Sequence, residues 1–378
     1  MIYFNNSSTT LVKPDVVYEA FVNASKTLSN MGRGSSNLSI ETSRAVFDAR
    51  EKVASFFHIK NPMRVGFTKN ATEALNTGLY GLLGAGDHVI ASVCEHNSVL
   101  RPLYRMEKEQ GLEITLIRCG SMGEIDPEDF RKAIKPNTKM IVATHVSNVT
   151  GTVIDIASIG AIAKEKGLAF FVDAAQSAGV LDIDVQRDNI DLLAFTAHKY
   201  LYCLQGLGGL YVRDGVKIRP LMLGGGASGS LVLPDLDMPE STEAGTVNMP
   251  CIAALGSAVD FICANKEAIQ KKESELTDYF LQRIREISFV KVLGRQENKD
   301  RVALFSLVSA EYTLQDIAAF VEENNGIVVR TGLQCAPLIH PYIGSAKEGT
   351  LRISMSYFNE KKEIDVLMEA LHAFPKHG

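Results

Sequence analysis

The chain has 378 residues, of which 46% are hydrophobic and 22% charged, with 39 Lys and Arg against 44 Asp and Glu. That composition supports packed cores and excludes wholesale disorder, and the length exceeds what one core normally fills, so two structural units are expected. A formal net charge of −5 without a block of like charge leaves no footprint for wrapping nucleic acid, and no apolar run has the length of a membrane span.

In chain order, short apolar runs alternate with longer helical patterns. The opening MIYFNNSSTT lacks the basic-then-apolar order of a signal peptide, which leads to the expectation of a cytoplasmic protein. Strands are expected at Arg64–Thr68, His88–Ser92, Lys139–Thr144, Ala169–Val172, Leu192–Phe195 and Gly209–Val212. Helix-period stretches such as Thr72–Leu83 and Ile156–Lys166 lie between them, so these units read as βαβ and predict a mostly parallel sheet covered on both faces. After about Cys251 the texture changes. One long amphipathic helix, Ile252 to Ile287, leads into Val290–Leu293, Ala303–Val308, a helix at Leu314–Asn324, then Ile327–Arg330 and Leu351–Ser354. Elements segregated in this way predict a smaller α+β domain. The expected division is 16–255 for a large α/β domain, and 1–15 with 256–378 for the small one.

Ligands of open parallel sheets bind beyond the carboxyl ends of the strands. Each expected strand is followed there by polar residues: Lys69-Asn70-Ala71-Thr72-Glu73, Glu95-His96-Asn97, His145-Val146-Ser147-Asn148, Asp173-Ala174-Ala175-Gln176, and Thr196-Ala197-His198-Lys199. Pyridoxal phosphate chemistry uses such a rim. It needs a lysine to hold the aldehyde, an acid against the pyridine nitrogen, hydroxyls and a helix N-terminus for the phosphate, and a flat ring over the cofactor. Lys199, Asp173, Thr72 with Thr196 and His198, and His96 fit those four roles. Singly, each has a plainer reading as a cap, a solvated lysine or a core histidine; in register with five strand ends they favour the cofactor.

At Asp173-Ala-Ala-Gln176 and Thr196-Ala-His198-Lys199 the sequence resembles the class V aminotransferase group of fold-type I pyridoxal-phosphate enzymes, and more narrowly the cysteine desulfurase and selenocysteine lyase family. Tyr3–Thr10, Asn70–Asn76, Glu95-His96, Val146–Thr152, Glu243-Ala-Gly-Thr246, Arg330–Cys335-Ala-Pro-Leu and Leu351-Arg352-Ile-Ser354 carry the same resemblance along nearly the whole chain. It implies that Lys199 binds the cofactor, Asp173 pairs with its ring nitrogen, His96 stacks on the ring, and Gln176 bonds the ring hydroxyl. Thr72, Thr196, His198 and the Ala71 amide would hold the phosphate. Arg352 would clamp the substrate carboxylate with Asn148 nearby, and Arg330 would join them. Thr246 would act across a two-fold interface in a homodimer. Cys335 would attack the sulfur of L-cysteine and carry it as a persulfide toward a sulfur-acceptor protein, with Arg330 and Arg352 as cationic neighbours.

The resemblance leaves alternatives open: a selenocysteine lyase acting on L-selenocysteine, a C–S lyase on a specialised cysteine derivative, or an aminotransferase or epimerase on the same scaffold. Four departures bear on that choice. Gln334 stands where a histidine is common, Ser36 replaces a histidine in Gly32–Ser36, Asn5 replaces an aspartate, and Cys203-Leu204 stand in place of Gly-Pro. The other cysteines are scattered without a CxxC pair or zinc-ligand spacing, so no metal site is expected, and Cys203 and Cys94 read as core fillers. The glycines of Leu223–Gly229 and Gly84–Gly86 do not follow a strand and open a helix, and read as turns.

Overall fold

The computed structural model describes residues 1–29, 36–226 and 236–375. Parts of the Gly32–Ser36 and Leu223–Gly229 segments lie outside the described residues. The strands are β1 (Ile2–Tyr3), β2 (Val65–Thr68), β3 (His88–Ser92), β4 (Glu113–Ile117), β5 (Thr138–Thr144), β6 (Ala169–Asp173), β7 (Leu192–Thr196), β8 (Gly208–Val212), β9 (Lys291–Leu293), β10 (Leu304–Val308), β11 (Ile327–Val328) and β12 (Leu351–Ser354).

Seven of them form one sheet in the order β2-β8-β7-β6-β5-β3-β4. Neighbours β4 to β7 pair in parallel through β3, β5 and β6, and β8 runs antiparallel to both β2 and β7. The uninterrupted apolar runs of β3 and β5 follow from burial on both faces. Alternate residues enter different cores: Val89, Ala91, Met140 and Val142 pack on one side of the sheet, and Ile90, Ile141 and Ala143 on the other. Because six strands point one way, the segments after β2, β3, β5, β6 and β7 converge on one rim.

A second sheet has the order β12-β10-β9 and is antiparallel, with β1 paired in parallel to β11 and Asn5 bridging to Ser354. Its core gathers Phe4, Phe280, Phe305, Ile353 and Leu367. The N-terminal segment therefore runs beside β12, which carries Arg352, through the Asn5–Ser354 bridge.

Two expectations are corrected. The single helix over Ile252 to Ile287 is two helices, Met249–Ala264 and Lys266–Arg283, followed by a short 3-10 turn. Asn265 separates them. Its side chain donates to Phe261 O at 2.8 Å, and a local side-chain bond of this kind competes with the helical ladder. The sheet also contains β4, which the periodicity did not predict. As the edge strand it is mostly half-exposed, so its apolar pattern is weak.

Candidate active site

The site is built where the strand ends meet. After β2, Asn70 caps the helix Ala71–Leu82, accepting from the Glu73 amide at 3.0 Å. The first amides of a helix have no intrahelical partner, so those of Ala71 and Thr72 are free for an anion. Gly208 lies between Thr68 and Thr196 in the sheet, and a Cβ there would stand 2.7 Å from Asn70 C and from Phe195 O. Ala71, Thr72, His96, Asn148, Asp173, Gln176, Thr196 and His198 line one cavity of about 480 Å³. Sequence reasoning singles out all eight.

Three buried polar atoms at this cavity have no hydrogen-bond partner: Thr196 Oγ1, His198 Nδ1 and Gln176 Oε1. Buried polar groups are normally satisfied, so such a cluster signals a ligand that supplies the missing bonds. Gln176 Nε2 already donates to Ser7 O at 3.1 Å. Asp173 ends β6 and accepts from the Ala175 amide at 2.9 Å; burial raises its pKa, and Lys199 opposes that shift.

His96 caps the helix Asn97–Gln110, its Nδ1 accepting from the Ser98 amide at 3.0 Å. Burial first, and the charges of Lys199, Arg330, Arg352 and Arg101 after it, push its pKa down to about 4. The ring is therefore neutral at physiological pH with its proton on Nε2, a flat face suited to stacking on another ring. His198 is likewise held at about 4, by burial and then by Lys199 and Lys13. Thr72 Oγ1 meets Ser98 Oγ at 2.8 Å, and Ser98 Oγ meets His96 Nδ1 at 2.9 Å, so the hydroxyls hold the ring in place.

Lys199 follows β7. Burial lowers its pKa to about 8; Asp173 acts against this, while Arg352 and Arg330 add to it. A sizeable fraction of free amine near neutrality is what condensation with an aldehyde requires. Lys199 is not among the residues lining the 480 Å³ cavity, although its charge acts on Asp173, His96 and His198.

A wider cleft of about 1360 Å³ shares Thr72, His96 and Ser98 with this cavity and reaches Cys335. Arg330 Nη2 donates to Cys335 Sγ at 3.2 Å, which sets a cationic group against the sulfur. Arg352 is 1% exposed; burial and then Arg330 lower its pKa to about 9, which leaves it charged at neutral pH. Its Nη1 donates to Asn148 O at 3.0 Å, its Nη2 to Ser8 Oγ at 2.8 Å, and its Nε has no partner. Gln334 and Cys335 both take left-handed backbone conformations, with φ of 51° and 59°. The turn is pinned by Asn148 Nδ2 to Gln334 O at 2.5 Å, Asn97 N to Cys335 O at 2.8 Å, and Gln334 Nε2 to Thr350 O at 3.1 Å. Gln334 is buried and clamps the turn, so it does not present a proton donor to the thiol.

Thr246 is the predicted residue that stands apart. It is exposed and borders a different pocket, on a segment anchored by the buried pair of Glu243 with Arg50 at 2.7 Å. Cys203 packs at 0% exposure with its thiol pushed up to about 12 by burial, and Cys94 is 1% exposed. Neither faces the cavity. Sequence reasoning misses Ser98 and Ser8, whose only signal is proximity to quoted motifs, and gives no role to Glu95. That carboxyl is fully buried between Ser92 Oγ at 2.6 Å and Thr144 N at 3.1 Å, and burial pushes its pKa up to about 8. Among the described residues no cluster of His, Cys, Asp and Glu could hold a metal, and no helix is long and apolar enough to cross a membrane.

Residues 2–367 match the family model for class-V aminotransferases. A probable cysteine desulfurase of Methanothermobacter thermautotrophicus is 33% identical over 100% of this chain and 95% of its own length. The cysteine desulfurase of Haloferax volcanii is 32% identical over 99% of this chain and 89% of its own. The apo structure of the cysteine desulfurase from Thermococcus onnurineus superposes with a TM-score of 0.91 at 30% identity, covering 97% of this chain and 93% of that one. The chain belongs to the class-V aminotransferase family and groups there with the cysteine desulfurases.

Proposed function

We propose that the protein is a pyridoxal-phosphate-dependent cysteine desulfurase that converts L-cysteine to L-alanine and takes the sulfur onto Cys335. The observation that carries this reading is the Cys335 thiol held 3.2 Å from the Arg330 guanidinium and lining a cleft that shares Thr72, His96 and Ser98 with the Asp173 cavity. An aminotransferase has no use for a thiol so placed.

The residues present fit the cofactor. Thr196 Oγ1 and neutral His198 Nδ1, both without partners, and the free amides at the start of the helix Ala71–Leu82 suit a phosphate. Asp173 suits a ring nitrogen, Gln176 the ring's hydroxyl, and neutral His96 its face. When bound, pyridoxal phosphate supplies an electron sink for the bonds around the amino acid's α-carbon. The chain does the rest. Arg352 binds the substrate carboxylate, with Asn148 holding the guanidinium through its carbonyl. Lys199 Nζ anchors the cofactor and moves the proton at the α-carbon, a task its pKa of about 8 allows near neutrality. Cys335 Sγ attacks the substrate sulfur: the S–S bond forms as the carbon–sulfur bond breaks, and return of protons to the carbon skeleton yields L-alanine.

The active form in this reading is a homodimer in the cytoplasm; the exposed Thr246, which lies outside its own chain's cavity and suits a partner's phosphate, supports the homodimer. The persulfide then passes to a sulfur-acceptor protein or a small reductant.

The test is simultaneous quantification of alanine and sulfide from cofactor-loaded wild type and Cys335→Ala with L-cysteine under reducing conditions. Equal yields, lost in the variant, are expected. Selenide from L-selenocysteine with negligible sulfide from L-cysteine would overturn the substrate assignment, and alanine production unaffected in Cys335→Ala would overturn the role of the thiol.

A further inference from the structure

The two arginines of the site share one hydroxyl acceptor, and Arg352 is held in addition by Asn148 O at 3.0 Å and Asn5 Oδ1 at 3.3 Å. Arg330 Nη1 donates to Ser8 Oγ at 3.2 Å and Arg352 Nη2 donates to the same oxygen at 2.8 Å. Ser8 Oγ in turn donates to Asn5 Oδ1 at 2.7 Å, which uses its only proton and leaves both lone pairs to the guanidiniums. Neither guanidinium has a carboxylate partner among the described residues, and the Arg330 charge disfavours that of Arg352. Like charges brought this close separate unless a shared acceptor holds them.

The acceptor is itself held firmly. Asn6 N donates to Ser354 O at 3.3 Å, Ser7 N to Ser354 Oγ at 2.9 Å, and Ser8 N to Asn5 O at 3.0 Å. On the other side Thr10 N donates to His198 O at 3.0 Å. The segment from Asn5 to Thr10 is thus stitched to β12, which carries Arg352, and to the loop that carries Lys199. Positions set by packed backbone in this way are more precise than those set by free side chains.

We propose that Ser8 is a positioning residue for the desulfurase reaction: its hydroxyl fixes the spacing between the guanidinium that receives the substrate carboxylate and the guanidinium that holds the Cys335 sulfur. Because the acceptor is neutral, it orders both cations without cancelling either charge. A carboxylate in its place would compete with the substrate for Arg352. The inference rests on the function proposed above for the substrate arm, and on the geometry alone for the thiol arm.

The experiment uses full-length holoenzyme as wild type, Ser8→Ala and Ser8→Thr, with melting temperature as the control for folding. Two quantities are read: kcat and KM for L-cysteine, and the rate of Cys335 alkylation by iodoacetamide without substrate, followed on the Cys335 peptide by mass spectrometry. Loss of a bond to a charged group predicts that Ser8→Ala raises KM by about tenfold or more, with a smaller fall in kcat. It also predicts several-fold slower alkylation at neutral pH. Ser8→Thr, which keeps the hydroxyl, should restore both. Unchanged alkylation in Ser8→Ala, or failure of Ser8→Thr to rescue while folding is intact, overturns the proposal. If wild type does not turn over L-cysteine, the function proposed above falls, and the alkylation arm still decides whether Ser8 positions the thiol's partner.

Discussion

Replacing Arg352 by lysine keeps the charge and removes the fork. In the wild type the guanidinium spends Nη1 on Asn148 O at 3.0 Å and Nη2 on Ser8 Oγ at 2.8 Å and Asn5 Oδ1 at 3.3 Å, and Nε remains unpartnered. A lysine ammonium is a single point and cannot hold these anchors while also offering a donor to a carboxylate in the direction of the unpartnered Nε. The variant loses at least one charge-assisted hydrogen bond to substrate, about 1.5–3 kcal/mol, which corresponds to a fall in kcat/KM of about 10- to 150-fold. Most of it should appear in KM, because the carboxylate is bound throughout the reaction. The assay is initial-rate alanine formation from L-cysteine, with cofactor content read from the visible absorption of the loaded protein. Full loading with kcat/KM within about twofold of wild type would refute the assignment of Arg352 as the carboxylate clamp.

Glu95 predicts a pH dependence of stability. Its folded pKa, pushed up to about 8 by burial and by Asp173, lies above the ordinary carboxyl value of 4.5. Between those values the folded state holds a proton that the unfolded state has released, so this group's contribution declines as pH rises from the lower value through the upper one. Thermal melting across that range should slope downward, and Glu95→Gln should flatten the slope; an identical slope in the variant contradicts the assignment. Glu243→Ala strands the buried Arg50 charge, which now meets Glu243 at 2.7 and 3.1 Å, and should cost about 3–5 kcal/mol in urea unfolding. Lys52→Ala, which breaks an exposed pair with Asp260, should cost no more than about 1 kcal/mol. Gly208→Ala drives a Cβ to 2.7 Å from Asn70 C and Phe195 O. That displaces the cap of the phosphate-binding helix, and overpacking of about 1–3 kcal/mol should appear partly as weaker pyridoxal phosphate binding in equilibrium dialysis.

Much of the site was legible because it is local in sequence. A parallel strand buried on both faces is an apolar run, and the segment after its carboxyl end is a short polar string. Thr72, His96, Asp173, Gln176, Thr196, His198 and Lys199 therefore announce themselves through the strands that precede them, and the structure brings all but Lys199 into the lining of one cavity. The matched motifs added the arginines and Cys335. Edge and junction features were less visible: β4 is half-exposed on the sheet's margin, and Asn265 breaks a continuous amphipathic pattern with one side-chain bond.

By itself, then, the sequence determined the alternation of strands and helices, the rim of polar groups and the family. Tertiary structure alone decided how those groups are charged and held. Ser8 meets Arg330 and Arg352 across separations of 322 and 344 residues, a contact that no periodicity encodes. The low pKa of His96, the raised pKa of Glu95 and the clamping role of Gln334 all depend on desolvation and on neighbours delivered from distant elements. Residue type states what a group can donate or accept; only the packed fold sets its distance to a partner and its access to water, and those two quantities determine its chemistry.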